Sequence, residues 1–447
     1  MTVQIGQKQN TGSIDIQRTG LSLAVLMYFM AIIAVNQVAG AVTSAFYYLA
    51  IFTGAVLFFG LKRSMGIRPT VLLAIGAGAL CGLNTVFVGN MTIVLTMIMV
   101  ASFFVAALML DEGVDERAFL IALYLNAGVA LIRLVLFGNK VSVYVGSTNN
   151  YVSIHLLAPG LLYYSLLDAR GKKIPIFPAF VIWTLSLLAG GRGGLLASTI
   201  LLMGVILRRY LADGTARRDR ILLGLLLAVI MIPVLVILAW SIFMSGSDLY
   251  VINRFLDKGM DGGGRIDCWI EYIQAMFSSA KNFLLGVNTD TLWWGRHYNG
   301  NLHNSFLFVH AYMGIFGFGT FLFLIGRACL RAIRNGKGVY LCCILTLCFR
   351  GLTDHMFGGN RMTAIVIAMV LLPDFVGLGK KTGGQVGKIL RRVYAKEANT
   401  SEKTDTPQEK TVISREQSKQ ESESAYGTHP ATNAMTRLRD RTFTDNI

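Results

Sequence analysis

The chain reads as an all-α polytopic membrane protein, and three observations carry that reading. Hydrophobic residues fill 54% of the 447 positions and charged residues only 15%, whereas a soluble chain carries about a quarter charged. The charges gather in short clusters between apolar runs of about 17 to 23 residues, the length that crosses a bilayer as helix. Lys and Arg also favour alternate connecting loops, the positive-inside bias that sets orientation.

With residues 1–20 placed inside as a cytoplasmic N-terminus, the apolar runs fall at about 21–38, 43–61, 69–88, 91–110, 118–137, 151–167, 174–190, 193–207, 221–243, 303–326, 338–352 and 362–379. That predicts a bundle of about twelve transmembrane helices over residues 21–379. The inward loops then hold Lys62, Arg63 and Arg68; Arg117; Arg170, Lys172 and Lys173; Arg208, Arg209, Arg217, Arg218 and Arg220; and Arg327, Arg331, Arg334 and Lys337. Short outward loops hold only Lys140, Arg192, Arg350 and Arg361. The formal charge of +16 is therefore assigned to topology, and no nucleic-acid motif accompanies it.

The one long outward segment spans about 244–302. It contains the turn signals SGSD and DGGG, the aromatics Trp293, Trp294 and Tyr298, and the stretch RIDCWIEYIQAMFSSAKNFLLG. In that stretch Trp269, Ile273, Met276, Ala280 and Phe283 recur at helical spacing, predicting a helix along the outer membrane boundary or against the bundle. From residue 380 to 447 a basic run (Lys380, Lys381, Lys388, Arg391, Arg392, Lys396) leads into a tail rich in Thr, Ser, Glu, Lys and Gln. The basic part suits anionic inner-leaflet lipid, and the rest is too polar to fold alone and is expected to be disordered. The polar first twenty residues argue for an uncleaved first span. Cys81, Cys329, Cys342, Cys343 and Cys348 fall in or beside spans as small hydrophobes; Cys268 stands alone in the outward loop, so no disulfide framework is expected.

Three outward-facing positions suggest chemistry. Arg192 lies in AGGRGGLLAS, where an inward-running helix presents its N-terminal N–H groups. Gly193 and Gly194 allow an anion near that backbone, the helix dipole favours negative charge, and guanidinium forks onto phosphate oxygens. A turn that only lets helices pack closely is the alternative. Arg265 opens the loop helix, where a cation is disfavoured by about 0.3–1 kcal/mol; an anionic ligand or the neighbouring Asp267 would compensate it. His303 begins the tenth span, and a histidine there can accept a proton from an attacking hydroxyl. A lone helical histidine is more often packing, as His310 is expected to be, but His303 is paired with Asn304 and shares its face with two arginines. Arg133, Arg350, Asp354 and His355 either line the same region or serve as salt-bridged structural residues. P-loop, HExxH, CxxC, Asp-x-Asp and Gly-x-Ser-x-Gly patterns are missing where they would be needed. The expected chemistry therefore uses arginine electrostatics and a histidine base, with no metal and no cofactor.

These motifs resemble the O-antigen ligase and O-antigen (exopolysaccharide) polymerase superfamily of bacterial inner-membrane glycosyltransferases. The resemblance rests on GGRGGLLAS, on Arg265 three residues before Trp269, and on His303-Asn304 followed after nine residues by Gly314 and after two more by Gly317. It is most specific over about residues 180–360. It implies a GT-C-like helical bundle in the bacterial inner membrane with a large periplasmic loop over a cavity, and a glycan donor on undecaprenyl pyrophosphate. By the same resemblance Arg192 and Arg265 would hold the pyrophosphate, and His303 would activate the acceptor hydroxyl, with inversion and without metal. The acceptor would be another lipid-linked repeat unit in a polymerase, the reading preferred, or lipid A–core in a ligase; other polysaccharide assembly proteins are possible partners. A lipid-linked oligosaccharide flippase or transporter is the alternative of another class, disfavoured because transporter sites lie near the bilayer midplane.

Overall fold

The computed structural model describes residues 11–37, 41–61, 67–137, 150–210, 265–297, 300–358 and 361–376. All of them lie in one compact unit, Met1–Ile389. Helices dominate, and no strand occurs among the described residues. The expected ninth span at 221–243, the loop up to 264 with its two turn signals, Tyr298, and the tail 380–447 lie outside the described residues.

The helices are α1 (Thr11–Gln37), α2 (Ala41–Leu61), α3 (Ile67–Phe87), α4 (Ile93–Met109), α5 (Arg117–Phe137), α6 (Asn150–Ala169), α7 (Phe177–Leu188) and α8 (Arg192–Tyr210). After the undescribed gap come α9 (Arg265–Phe277), α10 (Ala280–Leu285), α11 (Trp293–His297), α12 (Ser305–Arg334), α13 (Gly338–Thr353) and α14 (Thr363–Phe375). Among the described residues five helices are long and apolar enough to cross a membrane: α3, α5, α6, α8 and α12. Shorter apolar segments lie in α1, α2, α4, α7, α13 and α14.

Burial sorts these helices into layers. The apolar window of α6 is wholly buried, and α14 is buried from Thr363 to Pro373. A helix surrounded on every side is mostly apolar all round, as α14 is; α6 also buries Ser153, His155, Ser165 and Asp168. The corresponding windows of α3 and α5 are buried over only 28% and 33% of their length. Their outer sides carry exposed Leu72, Ile75 and Val86, and Ile132, Val135 and Leu136. Apolar surface on that scale suits lipid, not water.

Charged pairs gather at one end of the bundle. Arg170 contacts Glu116 at 2.7 Å and Lys172 contacts the other carboxylate oxygen. Burial alone would raise the Glu116 carboxyl, but the two cations outweigh it and hold it below its ordinary value. Asp168 accepts the backbone N–H of Tyr340 at 2.9 Å, while Lys337 donates to the Asp168 carbonyl. Arg327 and Arg331 both pair with Asp374. Several cations expected in inward loops thus share one end, joined by acidic partners.

The opposite end is organised by a kink in α12. Gly314 adopts φ 62°, ψ −167° inside the helix. A Cβ there would stand 1.8 Å from the Leu284 carbonyl oxygen at the end of α10, so only glycine fits. The kink also turns Met313 over Gly317, where a Cβ would meet it at 2.2 Å. The Ala311 carbonyl accepts from Asn84 Nδ2 at 2.7 Å and from Asn90 Nδ2 at 2.9 Å. These side chains satisfy backbone at a helix kink where a bilayer offers no water. Asn84 also donates to the Leu285 carbonyl, and Asn288 donates to that of Val88, stitching the loop helices to α3.

The loop stretch differs from its expected form in two ways. It is two helices, broken where Ser279 caps α10 by accepting the Asn282 N–H at 3.1 Å. Its buried face is Cys268 and Tyr272, while Ile273 and Ala280, of the stripe expected against either the membrane boundary or the bundle, are exposed. The reason is a second apolar stripe. Ile266, Ile270, Ile273 and Phe277 lie on one exposed side of α9, so periodicity alone could not say which side faces protein.

Candidate functional site

α13 ends against the N-termini of three other segments, and its last turn is the centre of the site. Arg350 and Asp354, four residues apart, face one another at 3.1 Å from Nη2 to Oδ2. The Arg350 side chain is only 1% exposed. Its Nε donates to Ser153 Oγ of α6 at 3.3 Å, and Nη1 donates to Thr353 Oγ1 at 3.2 Å. A buried cation is tolerable only when its donors are met in this way.

α8 brings Arg192 to this turn. Arg192 is the first residue of the helix and is partly buried. A Cβ on Gly193 would stand 2.8 Å from Thr353 Oγ1, and one on Gly194 would stand 2.2 Å from Ser153 Oγ. Both glycines thus have a packing role: they press the N-terminus of α8 against Arg350, Thr353 and Ser153. The same approach keeps that helix end close to two basic side chains.

Arg265 arrives from α9. Its Nη1 donates to the Thr353 carbonyl at 2.7 Å. At the start of its own helix the cation opposes the dipole, but it meets the C-terminus of α13, where a cation is favoured. Asp267, the nearer candidate counter-charge by sequence, is exposed.

His303 comes from the segment before α12. Its φ of 50° makes it the only non-glycine residue with positive φ among the described residues. That conformation costs about 1–2 kcal/mol and collects at functional positions. Local bonds hold it: the His303 N–H donates to Asn301 Oδ1 at 2.9 Å. Asn304 caps α12, its Oδ1 accepting the N–H groups of Phe306 at 2.9 Å and Leu307 at 3.2 Å. Ser305 Oγ donates to the Asp354 carbonyl and accepts the Met356 N–H, tying the start of α12 to the segment after α13. His303 Nδ1 consequently lies 3.6 Å from Asp354 Oδ1.

Asp354 is the electrostatic hinge of this arrangement. Burial would raise its carboxyl, but the Arg350 charge, the His303 imidazole and the His355 backbone N–H outweigh burial and hold it well below the usual carboxylate range. The Asp354 carboxylate faces Nδ1 and leaves Nε2 on the opposite edge of the ring. Tyr151, at the start of α6, shares a side-chain hydrogen bond with Asn301 and lies within reach of the charges on Asp354, Arg350 and Arg265. His310, by contrast, joins α12 to the loop layer through Tyr272 Oη at 2.7 Å and the Phe283 carbonyl at 3.0 Å.

The chain therefore brings Arg192, Arg265 and His303 to one stretch, Arg350–Asp354. Asn304 serves the helix end beside them. Sequence reasoning gave Arg350 and Asp354 little weight and passed over Tyr151, Ser153 and Asn301. The usable signal was the four-residue spacing of Arg350 and Asp354 in an apolar span, since ionisable residues there mark function by default. Comparison with models of protein families, with curated proteins and with solved structures finds no match for the chain.

Proposed function

We propose that the protein is a membrane-embedded glycosyltransferase that moves a glycan from undecaprenyl pyrophosphate to a sugar hydroxyl, in the assembly of a surface polysaccharide. The supporting observation is the convergence of Arg265, the Arg192-bearing helix end and the His303–Asp354 pair on the last turn of α13. In this reading the chain threads the bacterial inner membrane with about twelve spans, and the convergent end faces the periplasm. The exposed apolar side of α9 lies on the outer membrane surface.

The chemistry is a displacement at the anomeric carbon. The acceptor oxygen forms the new glycosidic bond as the bond to the pyrophosphate oxygen breaks, with inversion. The hydroxyl proton passes to His303 Nε2, and Asp354 stabilises the resulting imidazolium; such a base contributes about 10²–10⁴-fold. Arg192 and Arg265 balance the charge that develops on the departing pyrophosphate. The donor bond is already activated, so no nucleotide is consumed.

Chain elongation is the preferred form of the reaction, with the acceptor a second lipid-linked repeat unit. The test gives purified protein an undecaprenyl-pyrophosphate oligosaccharide with and without lipid A–core. Chain growth without core identifies a polymerase, and core-dependent transfer identifies a ligase. His303→Ala should abolish transfer in a protein that still inserts, and Arg192→Ala should impair use of the donor. Normal turnover by either variant would remove that role, and no transfer under any condition would sink the reading.

A further inference from the structure

Against Asn301, in the segment that leads to His303, the structure holds a cavity of about 270 Å³ whose lining includes Thr289, Asp290, Asn301, Phe308, Tyr312 and His355. It shares its wall with the site already described. Asn301 accepts the His303 N–H, and His355 directly follows Asp354, whose carboxylate accepts the His355 N–H at 2.9 Å. We propose that this cavity is a subsite for one neutral sugar ring, the ring whose hydroxyl His303 deprotonates. The proposal rests on the transferase reading of His303 and adds to it the place and chemistry of the acceptor.

The surface that the lining offers is mainly polar, as the hydroxyls of a pyranose need. Asp290 is exposed, its charge reaches Tyr312, and Thr289 and Asn301 stand with it. A carboxylate accepts hydrogen bonds only, with two oxygens that can take adjacent hydroxyls. Behind this polar surface the His355 ring stacks on the buried Phe308 with centroids 3.8 Å apart, and Tyr312 lies against Phe308 at 5.4 Å. That packing fixes the side chains which carry the polar groups.

Charge and size narrow the ligand further. Among the described residues no lysine or arginine lines the cavity and a carboxylate does, so phosphate or a uronic acid is disfavoured there. Pockets for larger ligands start at about 300 Å³; this one matches a single ring with the rest of the glycan outside. Gly300 closes one side: at φ 74°, a Cβ would approach Asp290 Oδ1 and Thr289 Oγ1 to 3.1 Å.

The position assigns the ring to the acceptor. Three consecutive residues present three functions in order: Thr353 receives Arg265, Asp354 receives His303, and His355 lines the cavity. His303 thus faces the residue that lies between the one receiving Arg265 and the one lining the cavity. Pyrophosphate leaves on one side of the imidazole and the nucleophilic hydroxyl arrives from the other.

Saturation-transfer NMR on the full-length protein in lipid nanodiscs, without donor lipid, tests this directly. The probes are methyl glycosides of hexoses and N-acetylhexosamines, with glucuronic acid and glucose 6-phosphate as charged comparisons. At least one neutral glycoside should receive saturation, and the charged probes should bind no better. Asp290→Asn should weaken that binding by about tenfold or more, the loss of a charge-assisted hydrogen bond. Tyr312→Phe should weaken it in a variant that keeps the ring packing, and His303→Ala should keep it. No saturation of any neutral glycoside, or equal saturation in folded Asp290→Asn, would overturn the subsite. Transfer by wild-type protein that binds no glycoside would discard the subsite and keep the transferase. Glycoside binding lost in Asp290→Asn, in a protein with no transfer activity, would keep the sugar site and discard the catalytic reading.

Discussion

Nδ1 of His303 lies 3.6 Å from Oδ1 of Asp354, and the other Asp354 oxygen lies 3.1 Å from Nη2 of Arg350. One buried carboxylate thus answers to a fixed guanidinium on one side and to a strained histidine on the other. Asp354 positions His303 without needing to touch substrate.

That relationship makes Asp354 costly to remove. Asp354→Ala leaves Arg350 buried without its carboxylate and should destabilise the protein by about 3–5 kcal/mol, read as a lower unfolding midpoint in detergent. Asp354→Asn keeps the shape and should lower turnover more than it changes donor KM. Turnover in Asp354→Asn equal to that of the wild type would show that Asp354 is structural only.

Acid should weaken the site in a defined direction. The Asp354 carboxyl is held below its ordinary value in the folded protein, whereas the unfolded value is about 3.9. Its stabilisation is therefore fully present above that value and falls as pH drops through it towards the folded one. Thermal unfolding of wild type and Asp354→Asn from pH 7 to pH 3 should show a constant gap down to about pH 4–5 and a narrowing gap below.

His303 combines strain with chemistry, and substitution should separate them. At φ 50° glycine is free of the side-chain penalty and alanine is not. His303→Gly should therefore be more stable than His303→Ala by about 1 kcal/mol, while both lose transfer. Equal stability of the two variants in thermal melts would mean that the surrounding bonds do not hold the conformation under strain.

Asn304 and Gly314 should behave as structural members of the motif. Asn304→Ala should cost about 0.5–2 kcal/mol through the lost cap, and Asn304→Asp should retain it. Gly314→Ala forces a Cβ into the Leu284 carbonyl and should cost about 2–5 kcal/mol from strain and overpacking together. Hydrogen exchange should then rise in α10 before it rises in α6.

Much of the architecture was legible because the bilayer imposes it locally. Helical spans need runs of apolar residues, and loop charge follows one side, so both features can be read without knowing any contact. Arg192, Arg265 and His303 were legible as well, because helix ends and polar residues beside apolar spans stand out in a chain this apolar. Which side of the loop helix faces protein was not legible, since Cys268 and Tyr272 are buried while the equally regular Ile266, Ile270, Ile273 and Phe277 lie exposed.

By itself the sequence determined the all-helical membrane class and the apolar helices, and it singled out Arg192, Arg265 and His303 as candidates. Only the tertiary structure decided that these three meet at one turn of α13, that Arg350 and Asp354 organise them, and that Gly314 and Gly317 serve a kink under α10. The physical reason is distance along the chain. His303 and Asp354, or Arg265 and Thr353, are neighbours only after the helices between and around them have packed, and no local periodicity encodes that packing.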